Sequence, residues 1–202
     1  MSAWVQEAKP LIREAVRLIE ESCVIRRDDD CVPSARRQVC ATQQSAAPSF
    51  SIRPNANRDL AARVAFALAV RAKRRVGYLV FGETPVCAVM RMWLLAANVS
   101  CEDATSGDIA EIAFPKLTRT AAVIANSYLW FRSGEIRREH IRQVTNEFVR
   151  GSHLEFLVVD DVECEALRQI GVPPELDGLQ IRREFAEAVR KLSVTAILPG
   201  CV

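Results

Sequence analysis

VGYLVFGETPVCAVMRMWLLAANVSCEDATSGDIAEIAFPKLTRTAAVI, residues 76–124, decides the fold class of this chain. It opens on Val76 to Phe81, an unbroken apolar run of the length of one strand that is buried on both faces. Gly82-Glu83-Thr84-Pro85 interrupts that run. A helix is predicted over Pro85–Ala97. A polar turn follows, Asn98 to Asp108, and a second helical stretch runs from Ile109 to Ile124.

The same alternation continues on both sides. Upstream, Phe50 to Arg53 is a candidate short strand and Asp59 to Arg74 a strongly apolar helix. Downstream, Tyr128 to Phe131 reads as a strand, Glu135 to Val149 as a helix, and Leu154 to Val159 as a strand ending at Asp160 and Asp161. Ile181 to Leu192 is the last helix and Val194 to Leu198 the last strand. Short apolar strands separated by helices predict an α/β domain, a parallel sheet with helices on both faces.

The amino-terminal segment is of another kind. In residues 1–22, Trp4, Ala8, Leu11, Ala15 and Leu18 recur at helical spacing, with Ile12 and Ile19 widening the stripe. Pro10 conflicts with an unbroken helix, so the well-formed part is expected to start near it. Such a stripe must be buried, either on its own domain or on a neighbouring subunit. Leu11, Ile12, Ala15, Leu18 and Ile19 are the candidate interface. Residues 23–48 lose the periodicity and read as a flexible linker, which leaves 49–202 as the α/β domain.

Composition excludes several classes. Half the residues are hydrophobic (50%), as in an ordinary globular core. The balance of 27 basic against 25 acidic residues is too even to argue for nucleic-acid binding. The basic run Arg71, Lys73, Arg74, Arg75 closes a helix, where the dipole favours positive charge. Seven cysteines include no Cys-x-x-Cys pair, and only His140 and His153 accompany them, so no metal site is expected. The odd number of cysteines and the lack of a signal-peptide pattern point to a reducing, cytoplasmic setting. No apolar run reaches the roughly 18 residues of a membrane span.

Two segments resemble the RecA-like motor domain of DnaB-type replicative helicases. In the first, Gly82-Glu83-Thr84-Pro85, Met90-Arg91-Met92, Ser106-Gly107 and Phe114-Pro115-Lys116-Leu117 stand in order where that family has Ser-Leu-Glu-Met-Pro, Met-Arg-Met, an Arg-Thr-Gly turn and Trp-Pro-Arg-Leu. In the second, HLEFLVVDD resembles the Walker B strand, with Asp160 matching its magnesium-linked aspartate; Glu83 of the first segment matches the family's catalytic glutamate. The resemblance implies a RecA-like fold. It also implies that the amino-terminal helix corresponds to the linker helix, which packs on the adjacent subunit of a ring.

The nucleotide loop departs from that pattern. Where the family has Ala-Arg-Pro-Ser-Met-Gly-Lys-Thr, this chain has Ile52-Arg53-Pro54-Asn55-Ala56-Asn57-Arg58-Asp59. Arg53 and Pro54 survive. Asn57 replaces the glycine that lets backbone wrap phosphate, Arg58 replaces the lysine, and Asp59 puts a carboxylate where a hydroxyl should meet magnesium. The γ-phosphate-sensing glutamine has no match in Ala196 to Cys201, and Glu83 and Asp160 read as retained polar residues that no longer work in catalysis. The implied function is binding without ATP hydrolysis: a partner or regulator of a replicative helicase, or self-association through the amino-terminal helix, with no cofactor. The alternative is a domain that still binds ATP and magnesium with residual ATPase activity. DNA binding stays open.

Overall fold

The computed structural model describes residues 5–31, 56–80, 83–133, 141–160, 187 and 195–197. Five strands form one sheet in the order β1-β3-β2-β4-β5. They are β1 (Val5–Glu7), β2 (Val76–Leu79), β3 (Leu129–Arg132), β4 (Phe156–Val159) and β5 (Thr195–Ile197). The last four are parallel to one another, and β1 lies antiparallel on the β3 edge. The expected α/β architecture is present, with one antiparallel edge strand that the alternation did not foretell. Val5–Glu7 falls inside the helical pattern of residues 1–22, and three residues are too few to display a two-residue period.

Central strand β2 is buried along its whole length, as an apolar run without alternation requires. Val76, Tyr78 and Val80 join Leu129, Phe131 and Val158 in the main core, against helices α2 (Ala56–Phe66), α3 (Pro85–Ala97) and α5 (Phe114–Ala125). Gly77 faces the other way, toward Phe148 of helix α6 (Ile141–Ser152). A Cβ on Gly77 would overlap Leu154 Cδ1 and lie 2.9 Å from Phe148 Cε1, so a larger residue here would require those side chains to shift.

Helix α3 has the predicted bounds. Thr84 caps it by accepting from the Cys87 N–H at 3.2 Å, Pro85 occupies the first turn, and Asn98 ends it in the left-handed conformation at φ 58°. Trp93 Nε1 donates to the Leu117 carbonyl at 2.8 Å and fixes α3 to α5. The segment read as a polar turn contains a short helix, α4 (Cys101–Ser106), capped by Ser100 and closed by Gly107 at φ 74°. Helix α2 begins at Ala56, three residues before the expected start, and ends in a π-helical turn over Ala67–Arg71. Predicted elements at Phe50–Arg53 and Ile181–Leu192 lie outside the described residues, apart from Glu187.

Helix α1 (Ala8–Cys31) corrects two expectations. It runs to Cys31, into the stretch assigned to the 23–48 linker, because backbone hydrogen bonding can carry a helix past the end of its apolar stripe. Its stripe is also already covered. Leu11, Ile12, Ala15 and Ile19 are at most 4% exposed, and Leu18 is half-buried, all within the chain's own core against α3, α4 and α5. These residues were expected to face a second chain; in this structure they pack on the chain's own helices. The reason is economy of contact: three helices of the same chain offer an apolar surface that the stripe fits. On the opposite side Arg17 pairs with Glu14 and Glu21 in solvent.

Among the described residues no helix is long and apolar enough to cross a membrane.

Candidate functional site

Strands β2 and β4 are parallel neighbours, and each delivers a carboxylate just past its carboxyl end. Asp160 follows Val159 directly, with its N–H donating to the Leu79 carbonyl at 2.9 Å. Glu83 stands four residues beyond Leu79, on the turn that leads into α3. Open α/β sheets place their sites at this edge. The structure therefore brings Glu83 and Asp160 to the same edge of adjacent strands.

Two guanidinium groups meet them there. Arg58, in the first turn of α2, donates from Nη1 to Glu83 Oε2 at 3.4 Å, and its Nε lies 3.5 Å from Asp160 Oδ2. Arg91, from the middle of α3, donates to the same Glu83 oxygen at 3.1 Å and to Asp59 Oδ1 at 3.1 Å. The groups are deeply placed: Asp160 is 0% exposed, Arg91 1% and Arg58 9%. Charges this buried persist only when they are paired, and here two cations are interleaved with three carboxylates.

Arg91 was quoted in the sequence only as part of Met90-Arg91-Met92, with no role. Its signal was present nonetheless, since it is the single charged residue of PVCAVMRMWLLAA. Asp59, which stands where the family has its magnesium-touching hydroxyl, accepts from Arg91. Asn57 lies on α2 in ordinary helical conformation and not at positive φ. Arg53 and Pro54 lie outside the described residues.

The field of the cluster is visible in its neighbours. Burial opposes the charge on Arg91, but Glu83 and Asp59 outweigh it and hold the guanidinium more firmly protonated than usual. Burial raises the Cys101 thiol above its ordinary range, with Arg91 opposing and Asp59 and Glu83 adding. Tyr78 is pushed well up, first by burial and then by Asp160 and Glu83. Its hydroxyl is buried with no hydrogen-bond partner among the described residues.

A pH-dependent test follows from Tyr78. An unfolded tyrosine ionises near pH ~10 and the folded one higher, so above that pH the folded state holds the extra proton. Stability from this group is full below pH ~10 and falls as pH rises beyond it. Tyr78→Phe should stay within about 1 kcal/mol of the wild type at neutral pH, because a hydroxyl without a partner contributes little. The variant should also lose less stability than wild type between about pH 8 and about pH 11, read from urea melts. Equal losses would separate Tyr78 from the cluster.

Comparison with known proteins adds nothing to the geometry. No family model matches the chain, and no curated protein matches it.

Among the described residues no group of three or more His, Cys, Asp and Glu side chains gathers to hold a metal ion. A divalent cation between Glu83 and Asp160 would compete with Arg58 for the oxygens that the guanidinium already engages. What the arrangement does is neutralise its own carboxylates and tie α2 and α3 to the ends of β2 and β4.

Proposed function

We propose that this chain is a RecA-like motor-domain relative of DnaB-type replicative helicases whose nucleotide site is closed by its own arginines. It acts by binding a replicative helicase, as a partner or regulator in DNA replication, and not by hydrolysing ATP. One observation carries the reading: the Arg58 guanidinium lies against both Glu83 and Asp160. These are the two residues that the resemblance assigns to water activation and magnesium. The position matching the P-loop lysine thus supplies a cation that turns inward to the carboxylates.

Asp59 and Arg91 support the same conclusion. The residue in the place of the magnesium-touching hydroxyl is held by a second buried guanidinium. Opening the cluster for nucleotide means breaking buried ion pairs at about 3–5 kcal/mol, which weakens binding by roughly two to four orders of magnitude. Because the α1 stripe is buried within the chain, the contact with a helicase must use another surface.

Calorimetry with ATP and magnesium tests the first half of the reading. No saturable binding is expected below about millimolar ATP, and a magnesium-dependent Kd in the micromolar range would overturn it. Gel filtration of the chain mixed with a DnaB-type helicase tests the second half. A shared peak is expected at roughly ten micromolar of each, and separate elution would remove the helicase as partner.

A further inference from the structure

At the opposite edge of the sheet, where β2 and β3 begin, a cleft of about 530 Å³ opens between the π-helical turn at 67–71 and the end of α5. Its lining is aliphatic in part, with Ala69, Val70, Ala122 and Val123 beside the polar Asn126 and Ser127. Tyr128 stands at its edge. Val123 is 41% and Tyr128 55% exposed, two apolar side chains left beside a concavity large enough for a ligand group.

Two cations line the same cleft, Lys73 and Arg119, and neither makes a hydrogen bond or ion pair with any described residue. Their neighbours differ. Arg74 pairs with Glu155 at 3.2 Å, and Arg75 lies 5.6 Å over the Trp130 ring. Lys73 is held at φ 53°, in the left-handed region that a lysine rarely adopts. Backbone bonds from Ala72 to Ala67 and from Arg74 to Leu68 fix the turn on both sides of it. The chain thus fixes the backbone of one cation without an acidic partner among the described residues beside the cleft, with a second on the facing helix.

We propose that this cleft binds a short acidic segment of a partner protein, anchored by an apolar side chain in the cleft and flanked by carboxylates on Lys73 and Arg119. Charge complementarity selects the acid, and the aliphatic part of the lining selects a peptide over a phosphate backbone, which has no hydrocarbon to bury there. The inference is independent of the helicase reading and concerns the other edge of the sheet.

The test is a selection of phage-displayed random dodecapeptides on the folded full chain. Synthetic peptides of the enriched sequence are then measured by fluorescence anisotropy. Enrichment of an apolar residue flanked by Asp or Glu is expected. Binding should weaken about tenfold or more in the Lys73→Glu/Arg119→Glu variant, and similarly in Val123→Asp. All three positions are exposed in part or in full, so unchanged thermal melts should accompany the loss. Three outcomes overturn the proposal: no acidic enrichment, binding that survives both variants, or tighter binding of an oligothymidylate that is lost in the same variants. Concentration-dependent self-association abolished by Val123→Asp would also overturn it, since the occupant would then be a second copy.

Discussion

An Arg91→Met variant should lose about 3–5 kcal/mol of stability, lowering the Tm by roughly 10 °C in a chain of this size. The side chain is 1% exposed and touches two carboxylates on different elements, Asp59 on α2 and Glu83 beyond β2. Methionine fills much of the same space, so lost volume is a small part of the effect. The large part is that Glu83, itself nearly buried, keeps its charge with half its compensation gone. Arg91→Lys should recover little, because one ammonium cannot reproduce the two-branched contact. Adding Glu83→Gln to Arg91→Met should recover more, since it removes the charge left behind. Thermal melts by circular dichroism read all three. A loss under about 1 kcal/mol for Arg91→Met would mean that the cluster does not hold α2 and α3 to the sheet.

How much of this was legible in the sequence varies by element. Helix α3 could be placed to the residue, because Thr84, Pro85 and Asn98 are each local signals whose chemistry acts within one turn. β2 and β4 were equally plain, being apolar runs with no competing period. Helix α4 was missed although Ser100 and Gly107 mark its ends, since six residues are too short for a stripe to show. The edge strand β1 was invisible for the same reason. At the candidate site the carboxylates were named, but not their partners. Arg58 and Asp59 lie far from Glu83 in sequence, and only the fold decides whether a charge meets an opposite charge or solvent. The covering of the α1 stripe was likewise undetermined: an amphipathic helix specifies that it must be buried, never by what.

That last ambiguity sets up the largest expected effect. Replacing Leu11 and Ile19 together with aspartate should unfold α1 from the domain and bring the whole chain close to the limit of stability. Both side chains are under 5% exposed and pack in the core shared with α3 and α5. Each contributes roughly 1.5–3 kcal/mol by burial. Aspartate adds the further cost of placing a carboxylate in an apolar core. The sum exceeds about 5 kcal/mol, comparable with the whole stability of a typical domain. Arg13→Glu on the exposed side of the same helix is the control, expected within about 0.5 kcal/mol of wild type. Denaturant melts and gel filtration together separate the two roles the stripe was given. If the double variant melts early or aggregates, the helix is structural and holds the domain from within. If it keeps a wild-type melt and loses only an assembly, the stripe faces a second chain after all, and its packing on α3, α4 and α5 does not hold in solution.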